Sequence, residues 1–96
     1  MKEIRFEWDD NKDSANKHKH GISFEEAQTV FFDPNARLIV DTAHSEDEER
    51  FVILGMSYTL KIIVVCHCYK SKNEVIRIIS ARKAMKKEEK TYMELL

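Results

Sequence analysis

The residues of this chain best suited to chemistry lie in one segment, Ile76-Arg77-Ile78-Ile79-Ser80-Ala81-Arg82-Lys83-Ala84. An arginine inside an apolar strand is costly unless its guanidinium pairs with a carboxylate or holds a phosphate. In strict alternation Arg77 shares a face with Val75 and Ile79, whereas Ser80 and Arg82 belong to the other face. A bulge or a strand-to-helix turn near Ser80 is therefore needed to bring Arg82 alongside Arg77. Converged guanidiniums can contact a scissile phosphate and stabilise the charge that grows on it. Held apart, each would be tied to Asp41, Glu49 or a helix end. Glu49-Arg50 opens another strand, with Arg50 on the face of Val52 and Leu54, either near the other arginines or in a surface salt bridge of little consequence. Lys19-His20-Gly21 sets a histidine at a helix C-terminus, where the dipole favours its charged form and the glycine leaves it accessible. His20 can act as an acid or base, bind a phosphate, or only cap the helix.

Other chemistries are poorly served. On a helix His18 and His20 lie about 200° apart and cannot share an ion. In a strand Cys66 and Cys68 face away from His67, and His44 has no thiol or imidazole at zinc spacing. The thiols follow Ile62-Ile63-Val64-Val65, a core-like run, and buried apolar thiols are poor nucleophiles. A Cys66–Cys68 bridge would be strained, so both read as small buried hydrophobes in a reducing compartment.

The 96 residues bound a single domain, 1–96, and the 43% hydrophobic content is enough for a core. Two glycines and one proline mark an ordered chain. No run approaches the ~20 apolar residues of a membrane span, and Met1-Lys2-Glu3-Ile4-Arg5 lacks a signal-peptide core, so a cytoplasmic location is expected. The net charge of −1 hides an asymmetry: residues 1–60 carry seven Lys/Arg against thirteen Asp/Glu, residues 61–96 nine against four. Such halves permit one basic face on a near-neutral protein.

These groups need elements to position them. Ile4-Arg5-Phe6-Glu7-Trp8 alternates as a short first strand. Asp9 or Asp10 can cap a polar surface helix running to about Lys19, with Ala15 its one apolar contact and Gly21 its stop. Ser23-Phe24-Glu25-Glu26 is a capping box, opening a helix whose stripe Phe24, Ala27, Val30 and Phe31 faces the core until Asp33-Pro34 ends it. Strands are expected at roughly 37–42, 50–57, 60–69 and 74–81, joined by the acidic loop Ser45–Glu49, a turn near Ser57-Tyr58, and Lys70-Ser71-Lys72-Asn73. A last helix is expected from about Arg82 to Leu95. The fold class is α+β, in the order β-α-α-β-β-β-β-α, with helices packed on an antiparallel sheet.

Taken in order, Phe6-Glu7-Trp8-Asp9, Asn16, Lys19-His20-Gly21-Ile22, Phe24-Glu25-Glu26-Ala27, Phe32-Asp33, Glu49-Arg50, Gly55, Arg77-Ile78-Ile79-Ser80-Ala81-Arg82 and Tyr92 form a specific pattern. The chain resembles, from about Arg5 to Tyr92, the BrnT family of small toxins from bacterial type II toxin–antitoxin pairs. The resemblance implies a RelE-like α+β fold, metal-independent endoribonuclease activity that stalls translation, and no cofactor. It also implies neutralisation by a BrnA-like antitoxin, whose ribbon-helix-helix domain would bind DNA on the pair's behalf. Under it, Arg77 and Arg82 stabilise the phosphate with Arg50 in support, and His20 or Glu49 transfers protons. Lys19, Ser80 and Lys83 bind the RNA backbone, with Lys86 and Lys87 more peripheral. Tyr69 and Tyr92 are the candidates for stacking a base. The rival is a catalytically inactive module that docks an acidic antitoxin and acts in promoter repression. Arginines gathered around an open concavity favour catalysis, and arginines spread out and saturated by carboxylates favour docking.

Overall fold

Both N-terminal helices start at side chains that satisfy their first amides. The Asp9 carboxylate accepts from the N–H groups of Asn11 and Lys12 at 2.7 and 3.1 Å and opens α1, Asp10–His20. Gly21, at φ 72°, ends that helix in the left-handed conformation glycine adopts without cost. The Ser23 hydroxyl accepts from Glu26 N–H at 3.0 Å and opens α2, Phe24–Thr29, which tightens into a single 3-10 turn at Val30–Phe32. The strands are β1 Arg5–Glu7, β2 Arg37–Asp41, β3 Arg50–Met56, β4 Ile62–Lys70 and β5 Val75–Lys83, and α3 spans Lys86–Met93. This computed structural model describes residues 4–41, 49–72, 74–94 and 96, without the side chains of 39–41. The expected acidic loop Ser45–Glu49 lies, except for Glu49, outside the described residues, as do His44, Asn73 and Leu95.

The five strands form one sheet in the order β1-β5-β4-β3-β2. The β2–β3, β3–β4 and β4–β5 pairs are antiparallel, as short connections dictate, whereas β1 runs parallel to β5. On one face α1 and α2 bury Ile22, Phe24, Ala27 and Val30 against Ile53, Ile63, Val65, Ile78 and Ala81. On the other, α3 lays Tyr92 over Leu54 and Val64, with Val52, Met56 and Ile62 around it. Gly55 lets the 3-10 turn approach β3, since a Cβ there would stand 2.7 Å from Val30 Cγ1.

Two details depart from the expectations above, and a third settles an alternative they left open. The contact of α1 with the sheet is Asn16, which is buried, and Ala15 is exposed. Because β1 covers β5 only from Val75 to Arg77, the outer edge of β5 beyond that point has no strand partner among the described residues. The Asn16 side chain takes the strand's place there. Its Nδ2 donates to the carbonyls of Ala81 (2.9 Å) and Ile22 (2.8 Å), and its Oδ1 accepts from Ala81 N–H at 3.0 Å. The last helix begins at Lys86 rather than near Arg82, because Ala81, Arg82 and Lys83 continue the ladder opposite Val65, Val64 and Ile63. Finally, β5 holds one more residue than β4 opposite it: Ile78 pairs with His67 and Ser80 with Cys66, leaving Ile79 unpaired as a bulge.

Asn16→Ala strands three buried backbone groups at once, each worth about 1–3 kcal/mol when left unsatisfied. It is expected to destabilise the domain by at least about 3 kcal/mol in urea unfolding; a loss under ~1 kcal/mol would mean that water replaces the amide.

Candidate functional site

The bulge decides where the arginines go. With Ile79 extruded from the ladder, Arg77 opposite Cys68, Ser80 opposite Cys66 and Arg82 opposite Val64 all lie on the α3 face. Arg50 lies on the same face as Val52 and Leu54, and Arg37 pairs directly with Leu54. Glu7 is the register partner of Arg77, so Arg5, two residues earlier, also falls on this face, while Phe6 turns to Phe31 on the other. All five arginines of the chain thus stand on one side of the sheet.

They do not meet at one point. Arg77 and Arg82 are four ladder steps apart, about 13 Å along the strand. Arg77 Nη1 donates to Glu7 Oε2 at 2.6 Å, with the side chains 34% and 41% exposed. Arg82 makes a two-pronged pair with Glu88, at 2.8 and 2.9 Å, and Glu88 also accepts from Met85 N–H at 2.8 Å. The bond to Glu7 raises Arg77 above its ordinary value, and the bond to Glu88 does the same for Arg82. The Arg82 guanidinium, with the Met85 amide, outweighs burial and lowers Glu88. Arg50, one step beyond the Phe51–His67 pair, falls beside Cys68, about 10 Å across two strands from Arg77. Among the described residues its Nε is buried and has no hydrogen-bond partner.

The other candidates are dispersed. His20 ends α1, in the layer on the opposite side of the sheet from the arginines, and Lys19 lies beside it, exposed. Glu49 is exposed, immediately before β3. Ser80 shares the arginine face, but Lys83, opposite Ile63, turns to the helix side. Lys86 and Lys87 are exposed on α3. Tyr92 is 2% exposed and cannot stack a base in this conformation. Its hydroxyl donates to Asp33 Oδ2 at 2.7 Å, because it anchors α3. Burial pushes the Asp33 carboxyl up, but the Met56 and Asn35 amides and the Tyr92 hydroxyl outweigh it and hold it below its ordinary value. Burial and that carboxylate push Tyr92 up to about 12. His67 is buried on the helix face against Phe31, its ring nitrogens facing Val65 O and Tyr69 Oη, and burial lowers its pKa. Arg5 and Glu7 carry no local mark of site residues, although Phe6-Glu7-Trp8 stands out in the sequence; the parallel pairing of β1 with β5 gives them their place.

The fold has a counterpart among solved structures. The crystal structure of the Brucella abortus ribonuclease toxin BrnT matches with a TM-score of 0.65 and 25% sequence identity, over 90% of this chain and 100% of that one. No curated protein matches. Such an α+β fold is that of a small ribonuclease toxin. The family model for the ribonuclease toxin BrnT of type II toxin–antitoxin systems matches residues 8–88, and the chain belongs to that family. Among the described residues no helix is long and apolar enough to cross a membrane.

The Tyr92–Asp33 bond makes a pH prediction. The folded protein holds the phenol proton more tightly than the ordinary value of 10.0, so this stabilisation is complete below pH 10 and is lost as pH rises towards about 12. Tyr92→Phe is expected to cost about 2 kcal/mol at neutral pH and to flatten that alkaline decline in urea unfolding. Parallel declines in both proteins would show that the bond is absent.

Proposed function

We propose that this chain is an endoribonuclease that cuts RNA without metal or cofactor, by attack of a ribose 2′-hydroxyl on the adjoining phosphate, and so inhibits translation. The observation that carries this reading is the placement of all five arginines on one sheet face, spread across it rather than converged. Guanidiniums stay charged throughout the reaction and present parallel N–H donors to phosphate oxygens. On such a face they neutralise RNA phosphates and stabilise the extra negative charge of the pentacoordinate phosphate. A general base takes the 2′-hydroxyl proton, and a proton donor meets the departing 5′-oxygen. The antitoxin that type II membership implies would be BrnA-like, carrying the ribbon-helix-helix domain that binds DNA.

The carboxylates on Arg77 and Arg82 favour a second reading, in which the face only docks the antitoxin. Geometry favours catalysis at Arg77. The Arg77–Glu7 pair is a single, partly exposed contact of the kind worth about 0–1 kcal/mol, and a phosphate can replace the carboxylate there. The two-pronged Arg82–Glu88 pair is tied to the start of α3 and resists opening.

Induced expression of the wild type is expected to arrest growth and degrade RNA visibly on a gel, whereas folded Arg77→Ala/Arg82→Ala does neither. Normal growth with intact RNA in the wild type would transfer the assignment to docking. Cleavage by purified protein is expected to be unchanged in EDTA; its loss there would assign the reaction to a metal ion.

A further inference from the structure

Resting on the ribonuclease reading, we infer that Glu7 is the general base and that the scissile phosphate lies between Arg50 and Arg77. The three residues belong to one row across the sheet, Arg50–Cys68–Arg77–Glu7, with the small Cys68 between the two arginines. Arg50 and Arg77 stand about 10 Å apart at their backbones, a span that two arginine side chains close onto one phosphate. The Arg50 Nε is buried and, among the described residues, has no hydrogen-bond partner. The α3 helix covers the other end of this face, over Leu54 and Val64, and among the described residues no helix lies over this row.

The choice of base rests on the bonds each carboxylate already makes. Glu88 accepts three hydrogen bonds, two from Arg82 and one from the Met85 amide, and is occupied in holding α3 to β5. Glu26 is buried on the opposite face, accepting from the hydroxyls of Ser57 and Thr59. Among the described residues Glu7 accepts one hydrogen bond, from Arg77, and its side chain is 41% exposed. It thus has an arginine of this row beside it and a side chain open to solvent. Glu7 precedes by one residue the segment matched by the family model, so family membership alone assigns it no role.

In the step itself, the Glu7 carboxylate takes the 2′-hydroxyl proton and the freed oxygen forms a bond to phosphorus. The bond from phosphorus to the 5′-oxygen breaks, and that oxygen takes a proton from water. Protonated Glu7 returns its proton to solvent. The products are a 2′,3′-cyclic phosphate and a 5′-hydroxyl end, with charge and atoms conserved.

The test uses the purified full chain and a labelled RNA oligonucleotide. Glu7→Gln keeps a carbonyl acceptor for Arg77 but holds no proton at neutral pH. It is expected to lower kcat by about 100-fold or more, to leave KM within about twofold, and to abolish the acid limb of the pH–rate profile. Glu7→Asp should retain that limb, and Glu25→Gln, an exposed carboxylate on α2, should match the wild type. RNA with a 5′-bridging sulfur, whose leaving group needs no acid, should remain slow with Glu7→Gln. Recovery on that substrate would make Glu7 the acid and overturn the assignment, as would a wild-type kcat with the limb intact. If Glu7→Gln does not fold, the wild-type profile decides: a rate without a carboxylate limb, over the pH range where the protein is folded, rejects a carboxylate base. Wild-type protein that leaves the RNA whole overturns the ribonuclease reading itself, a separate failure visible before any variant is made.

Discussion

One unpaired residue organises the working side of this molecule. Strand side chains alternate, so five positions separate Arg77 from Arg82 onto opposite faces unless the register slips by one. The Ile79 bulge is that slip. It leaves Ile78 and Ala81 both in the helix-side core while Arg77, Ser80 and Arg82 share the other face. The core therefore enforces the arginine placement: undoing the bulge would drive either apolar or charged groups to the wrong side. Asn16 fixes the same strand from its free edge, closing onto both backbone groups of Ala81 two residues past the bulge. A buried amide that satisfies a strand edge sets position more sharply than an apolar contact, because its geometry admits one register.

The α3 helix is held by polar groups at both ends. Glu88, near its start, binds Arg82 and the Met85 amide, and Tyr92, near its end, reaches Asp33 after the 3-10 turn. Asp33 in turn accepts from Met56 N–H on β3, so one carboxylate joins the 3-10 turn, β3 and α3. This places α3 over the Leu54–Val64 end of the sheet and leaves the Arg50–Arg77 end, among the described residues, without a helix above it. Arg82 consequently has a neighbour and a role different from those of Arg77, though both sit on β5.

Local signals are legible in the sequence and long-range ones are not. Asp9, Gly21 and Ser23 act where their types predict, since capping is settled by residues within one turn. The strands are equally plain from their apolar runs. The need for a bulge can be deduced from the Arg77–Arg82 spacing, but its location cannot, because that depends on the partner strand. Asn16 yields to Ala15 as the expected contact, since polarity reads as surface until a strand edge needing an amide is known. Tyr92 looks like a base-stacking group because nothing local reveals the Asp33 carboxylate 59 positions away in sequence. His20 satisfies every local criterion for proton transfer and stands in the other layer, because the layer of a helix is a property of the packing.

The Arg77–Glu7 pair gives the face a further property. A sheet side carrying five arginines is costly to assemble unless carboxylates relieve the repulsion, and Glu7 and Glu88 supply that relief at opposite ends. The two pairs respond differently when a phosphate draws the arginine away. Opening Arg82–Glu88 removes one of the contacts that seat α3, so the helix resists it. Opening Arg77–Glu7 disturbs only a partly exposed bond on the three-residue edge strand β1. A phosphate that captures Arg77 releases the Glu7 carboxylate to face the ribose it is inferred to deprotonate, so substrate binding and exposure of the base are coupled through one hydrogen bond.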